Sequence, residues 1–309
     1  MIKNEQKYFD IQQAKKAYAE GKNVTELLRA QKQIHTNTSE IIEVSYDLQA
    51  GTYIDFVEKN PEQPTRYAAE LAEILNQHIK PNSSLLDVGT GELTTLSMVF
   101  SSLTQKPSNI FAFDISWSRI SKGLKFAQKY MKEDYKYLVP FVGDIGEIPL
   151  LDKPINITTS SHALEPNGGS LKKLMLELFR VTADKLILFE PCYEINSEEG
   201  KARMDRLGYI KNIDGATEEL GGKIIEKIII KNGDNPLNPT VCFIIQPPKN
   251  NSLPTENCKN IFSVPGTNIS LKKVDDFFYS NQVGLCFPIL KNIPILKASS
   301  AILATSLLD

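Results

Sequence analysis

Along the middle of the chain, short apolar runs alternate with stretches whose apolar residues recur every third or fourth position. Between residues 65 and 79, Tyr67, Leu71, Ile74, Leu75 and Ile79 share one helical face. Leu85-Leu86-Asp87-Val88 is then a compact strand-like run, closed by Gly89-Thr90-Gly91. Leu93, Leu96, Val99, Phe100 and Leu103 resume the helical period. Ile110-Phe111-Ala112-Phe113 predicts a second strand ending in Asp114, followed by a helix with Ile120, Leu124, Ala127 and Met131 on one side. Residues 137–142 predict a third strand running into Gly143-Asp144, and residues 156–160 a weaker fourth. A helix through Leu171, Leu174, Met175 and Leu178 leads to a fifth strand over residues 185–190. Residues 223–230 and 241–246 read as a final antiparallel pair.

Strands alternating with helices of this length imply βαβ units and a doubly wound parallel sheet with right-handed crossovers. Ligands then bind beyond the carboxyl ends of the strands, so the loops after each strand carry the chemistry. Three zones follow: a polar, helix-prone segment over residues 1–64, the α/β domain over residues 65–248, and residues 249–309. The last zone opens with the polar linker Lys249-Asn250-Asn251-Ser252-Leu253-Pro254.

The turn after the first strand lets a ligand approach the backbone closely. A dinucleotide turn reads G-x-G-x-x-G, and the third position here is Thr94. Asp87 and Glu92 flank the turn, and two carboxylates suit a cationic ligand better than a pyrophosphate. Asp114 offers only acceptor oxygens, which match two vicinal hydroxyls; it also fits as the N-cap of the helix that follows. Asp144 fits a ligand contact or a turn with Gly143 and Gly146.

The run Leu85-Leu86-Asp87-Val88-Gly89-Thr90-Gly91 resembles the first motif of class I S-adenosylmethionine-dependent methyltransferases, with Asp114 and Asp144 in the matching order after strands two and three. The resemblance covers roughly residues 65–248. It implies a Rossmann-like α/β sheet with an antiparallel last strand, S-adenosyl-L-methionine as cofactor and S-adenosyl-L-homocysteine as product. It implies Asp114 on the ribose hydroxyls and Asp144 on the adenine amino group. Asp87, Gly89, Thr90 and Gly91 would lie at the methionine end, and Ile115, Ile145 and Ser161 complete the cofactor set.

In this family the loop after the fourth strand faces the transferred methyl group. Here it carries His162, Glu165 and Asn167. The imidazole titrates near neutral pH and is a candidate to take the acceptor's proton, with Glu165 beside it. Asn167 is a candidate substrate contact or a cap of the next helix. Glu190 and Glu194 after the fifth strand, with Glu165, would form an acidic pocket preferring an amine; solvated loop acids are the plainer alternative. Tyr46 and Tyr53 are candidate lid aromatics over the acceptor, or packing residues between helices and sheet.

The remaining features bound the class. The chain has 309 residues, 41% apolar and 23% charged, which excludes a disordered or fibrous polymer. Its net charge of −2 speaks against global steering to nucleic acid. Lys122, Lys125, Lys129, Lys132 and Lys136 nevertheless make one basic helix face, for RNA, an acidic partner or solvent. Cys192, Cys242, Cys258 and Cys286 form no C-x-x-C pair, so no metal site is expected. With no apolar leader and no apolar run long enough to span a bilayer, a cytoplasmic chain is expected. Residues 284–296 are similar to the end of small zinc-ribbon activators of methyltransferases, without their paired cysteines. They are expected to form a metal-free β element docked on the core or on a second copy of the chain.

The reading is therefore a methyltransferase acting on a nitrogen or oxygen of a small molecule, an amino sugar or surface-glycan precursor being the class suggested. Two alternatives stay open: a protein or RNA acceptor, and a catalytically inactive cofactor-binding scaffold or regulatory subunit.

Overall fold

The computed structural model describes residues 8–233, 235–249 and 260–307. Most of the polar linker, and Cys258, lie outside the described residues. The N-terminal zone is four short helices: α1 (Ile11–Ala19), α2 (Val24–Lys32), α3 (Ser39–Asp47) and α4 (Thr52–Lys59). The first three open on polar caps, Asp10, Asn23 and Thr38, whose side chains accept the orphan N–H groups of the first turn. The helix expected from residue 65 is α5 (Glu62–Asn76); Pro64 sits in its first turn, where a missing N–H removes no helical bond.

The α/β domain then runs β1 (Ser84–Val88), α6 (Thr94–Ser102), β2 (Asn109–Asp114), α7 (Trp117–Met131), β3 (Leu138–Val142) and β4 (Ile155–Ser161). It continues α8 (Leu171–Val181), β5 (Thr182–Pro191), α9 (Glu198–Leu207), α10 (Ile213–Glu219), β6 (Lys223–Ile229) and β7 (Thr240–Gln246). The strand order is β3-β2-β1-β4-β5-β7-β6, parallel from β3 through β5, with β7 antiparallel to both its neighbours. Helices α5, α6 and α7 pack on one face around Leu71, Phe100 and Phe126, and α8 and α10 cover the other around Met175, Leu178 and Ile213. The connections reverse direction between β1 and β4, so the crevice opens above those two strands. The α9 and α10 pair was not legible in the sequence: α9 buries only Gly200 and Met204, too sparse a stripe to show a period.

The C-terminal extension is larger than expected. β8 (Lys272–Val274), β9 (Phe277–Ser280), β10 (Leu285–Leu290), β11 (Ile293–Pro294) and β12 (Ile302–Leu303) form a second, antiparallel sheet. It docks on the chain's own core. Phe262 meets Phe141 of β3 edge-on at 5.2 Å and Phe278 at 5.1 Å. Ile295 bridges Val142 in parallel, and the Leu296 N–H donates to the Val142 carbonyl at 2.8 Å. The otherwise open edge of β3 is thus covered, which removes a template for unwanted pairing. Lys297 pairs with Glu43 of α3, tying the extension to the N-terminal helices. Cys192, Cys242 and Cys286 are free and buried. Among the described residues no helix is long and apolar enough to cross a membrane.

Candidate cofactor and acceptor site

The glycine turn is held in place by its neighbours. Thr90 donates its N–H to the Phe113 carbonyl at 2.9 Å, and Gly89 and Gly91 adopt φ of +64° and +57°. A Cβ on Gly89 would fall 2.2 Å from the Cβ of Ala163, and one on Gly91 would fall 2.5 Å from the Arg119 guanidinium. The positive φ calls for glycine at both positions, and at Gly89 the Ala163 Cβ leaves no room for a side chain.

Asp114 closes β2 against this turn. One carboxylate oxygen accepts the Gly91 N–H at 2.9 Å and the other accepts the Ser116 N–H at 2.9 Å. The cap of α7 is Ser116, whose hydroxyl accepts the Arg119 N–H at 3.1 Å. Asp144 accepts the Gly146 N–H at 2.7 Å. Asp87 is half-buried beside Thr159, whose hydroxyl donates to it at 2.9 Å; desolvation nonetheless pushes its carboxyl up to about 6.

These strand ends enclose one cavity of about 970 Å³, open mouth included. All nine residues expected around the cofactor line it: Asp87, Gly89, Thr90, Gly91, Asp114, Ile115, Asp144, Ile145 and Ser161. Tyr46, Tyr53, His162, Glu165 and Asn167 line it too. A second cavity adjoins it at Tyr53, Ser161, His162 and Glu165 and extends to Tyr67, Met98, Asn238 and Thr240.

His162 stands at the junction in a left-handed conformation, φ +58°, uncommon for a residue with a side chain. Its Nδ1 lies 2.8 Å from Glu165 Oε2 and its Nε2 lies 2.9 Å from Thr240 Oγ1. Asn238 donates to the same Glu165 oxygen at 3.1 Å. Burial alone would depress the His162 pKa, but the hydrogen bond and charge of Glu165, with the charge of Glu190, hold it above its ordinary value. Burial would raise Glu165; its bonds to His162, Asn238 and Tyr209 instead bring it below the usual carboxylate range. Each partner thereby favours the charged form of the other, and both ring nitrogens are engaged.

The expected acidic pocket is not formed. Glu190 lies two residues beyond Leu188 on the same face of β5, fully buried beneath the loop after β4. One of its oxygens accepts from the Ser160 hydroxyl and from the Ala163 and Leu164 N–H groups, both at 3.1 Å. The other is buried without a partner, and burial pushes the carboxyl up to about 7. Glu194 points elsewhere, accepting the Asn212 N–H at 2.8 Å. Asn167 lines the cavity, but its amide donates to the Ala163 and Leu164 carbonyls at 3.2 and 3.3 Å, stapling the loop.

The N-terminal helices α3 and α4 are pinned from below. Glu92, also buried, lines the cavity, but its carboxylate is taken up by the N-terminal helices. Its carboxylate accepts the Gly51 and Ile54 N–H groups at 2.9 and 3.0 Å, capping α4 from outside. Asp47 accepts from the Ser116 and Ser118 hydroxyls at 2.6 and 3.0 Å. Lys122 donates to the Ala50 carbonyl and Lys129 pairs with Glu58 at 3.2 Å, so two lysines of the basic face tie α7 to α4 and the turn before it. Tyr46 and Tyr53 both lean on the guanidinium of Arg119, 5.2 and 4.8 Å from their ring centres. Sequence reasoning missed Arg119. The available signal was its spacing of four and seven from Gly123 and Phe126, the residues buried with it on α7. Nothing in the sequence marked Asn238 or Thr240.

No family model matches the chain, and no curated protein sequence does. Solved structures do. A chain of the complex between the Haloferax volcanii Trm112 methyltransferase activator and a putative methyltransferase is similar at TM-score 0.51 and 16% identity, covering 65% of this chain and 97% of that one. An S-adenosylmethionine-dependent methyltransferase from Aquifex aeolicus aligns at TM-score 0.45 and 16% identity, over 57% and 88% of the two chains. Geranyl diphosphate C-methyltransferase from Streptomyces coelicolor A3(2) aligns at 0.45 and 12%, over 57% and 78%. The chain therefore carries the Rossmann-like α/β fold that methyltransferases of class I share, extended by a second sheet of its own.

Proposed function

We propose that this protein is an S-adenosyl-L-methionine-dependent methyltransferase acting on a nitrogen or oxygen of a small molecule. The observation that carries this reading is the single cavity that joins the glycine turn, Asp114 and Asp144 to the His162–Glu165 pair. The residues fit the cofactor: acceptor oxygens at Asp114 and Asp144, two glycines that keep the turn free of side chains, and a buried guanidinium at Arg119 with an unpartnered Nε.

Asp114 would hold the ribose hydroxyls, Asp144 with Ile145 the adenine, and the turn from Gly89 to Gly91 the methionine portion. Bound there, the cofactor would supply an electrophilic methyl on sulfur, leaving S-adenosyl-L-homocysteine. The chain's own residues would contribute position and proton management. Holding two reactants in line about 3 Å apart accounts for much of the acceleration in such displacements. Glu165, ionised and fixed by His162, Asn238 and Tyr209, would orient the acceptor's N–H or O–H and receive its proton. His162, bonded to that carboxylate, would favour its charged form. Tyr46 and Tyr53 would exclude water above the site. Aromatic Tyr53, Phe56 and Tyr67 and the polar Asn238 and Thr240 of the adjoining cavity suit a compact acceptor with an apolar side and a polar side. An amino sugar or related surface precursor is one candidate class.

The test is a transfer screen with methyl-tritiated cofactor against panels of small amines, sugars and phenols, with RNA and protein lysate as separate arms. Label in a small-molecule product, lost in Glu165→Gln, is the expected result. Label only in RNA or protein would replace the acceptor class. Cofactor binding without transfer to any arm would favour a regulatory subunit.

A further inference from the structure

Arg119 is the buried group that the fold alone does not explain. It sits in the first turn of α7 and is 8% exposed. Its guanidinium has five N–H donors, yet among the described residues its side chain makes no hydrogen bond, and its Nε is fully buried without a partner. The carboxylates nearest to it stand off: Glu92 at 3.9 Å and Asp114 at 4.0 Å. Both are already committed, Glu92 to the N–H groups of Gly51 and Ile54 and Asp114 to those of Gly91 and Ser116. Charge and two tyrosine rings hold the guanidinium in place, while its donors stay unused at the wall of the cavity. Unmet buried donors cost free energy that an arriving acceptor recovers. A planar carboxylate matches the guanidinium fork best, through two parallel charge-assisted bonds.

We propose that Arg119 is the anchor for the α-carboxylate of the cofactor's amino-acid portion, an inference that rests on the proposed methyltransferase reading. The position selects this source over an anionic acceptor. The guanidinium lies against Gly91, where a Cβ would come within 2.5 Å of it, and beside Asp114, on the glycine-turn side of the cavity. Because Tyr46 of α3 and Tyr53 of α4 rest on the same guanidinium, the anchor also fixes the lid above it.

The test is calorimetric titration of the full chain with S-adenosyl-L-homocysteine and with its decarboxylated analogue, which lacks only the carboxylate. Wild type is expected to favour the carboxylate-bearing ligand by at least about tenfold, as for a charge-assisted pair. Arg119→Gln is expected to bind both ligands equally, and Arg119→Lys, which keeps the charge but not the fork, to retain part of the preference. The preference is a ratio within each variant, so a general loss of stability does not mimic the result, and the lysine variant guards against a glutamine variant that fails to fold. An undiminished preference in both variants overturns the inference while leaving the cofactor reading intact. Wild type that binds neither ligand overturns the inference and the reading together.

Discussion

Nδ1 of His162 lies 2.8 Å from Oε2 of Glu165, and this contact raises the His162 pKa and lowers that of Glu165 at the junction between the two cavities. Glu165→Gln removes the charge that favours the imidazolium. The His162 pKa, followed by NMR of the ring protons, is expected to fall below its wild-type value. Methyl transfer is expected to slow by about 10²–10⁴, the range for loss of a positioned acid or base. An unchanged His162 titration would show that the pair is not coupled.

Glu190 makes stability depend on pH in a defined direction. Burial raises its carboxyl to about 7, and that of Asp87 to about 6, so the folded state binds these protons more tightly than the unfolded chain. Their stabilisation is fully present below the ordinary carboxylate range and is lost as pH rises through about 6 to 7. The melting temperature is expected to decline from the ordinary carboxylate range up to about pH 7 and to level off above it. Glu190→Gln, which mimics the neutral acid and keeps an oxygen for Ser160 and the loop N–H groups, is expected to flatten the decline. An equally steep curve in the variant would contradict the assignment.

Glu92 reaches across from the glycine turn to cap α4. Glu92→Ala leaves the Gly51 and Ile54 N–H groups without their acceptor, a loss of about 1–2 kcal/mol for a cap. Amide exchange in residues 51–59 should accelerate by about tenfold relative to the central strands, which open only globally. Uniform acceleration across the molecule would show that residues 51–59 are not a separately opening unit.

Phe262 joins the extension to the sheet domain through Phe111, Phe141 and Phe278. Phe262→Ala is expected to cost about 3–5 kcal/mol in urea unfolding. Wild type should unfold in one transition, because both sheets share one apolar cluster. Two separate transitions in wild type would mean that the extension folds independently.

The sequence was most legible where period and burial agree. β1, β2 and β3 are short apolar runs ending in acids or glycine, and their order brought Asp87, Asp114 and Asp144 to one cavity, as the spacing predicts. Legibility failed where a residue's partner lies far along the chain. Glu92 reads as a ligand-facing acid because nothing local marks Gly51 and Ile54, 41 and 38 residues away, as its partners. Glu190 reads as a loop acid because β5 runs on to Pro191 and carries the carboxylate beneath the next loop. Asn238 and Thr240 enter the site only because the antiparallel strand β7 delivers them beside His162. The second sheet was half visible: Leu285–Leu290 alternates too weakly to announce the strands that precede it.

Binding of the nucleoside thioether is measured most directly by titrating the full chain with S-adenosyl-L-homocysteine, with Asp114→Ala beside wild type and NADH as a control. Micromolar binding to wild type, weakened at least about tenfold by Asp114→Ala and absent for NADH, is the predicted result. No binding of the thioether to wild type, or equal binding to the variant, would contradict a cofactor site built on the end of β2.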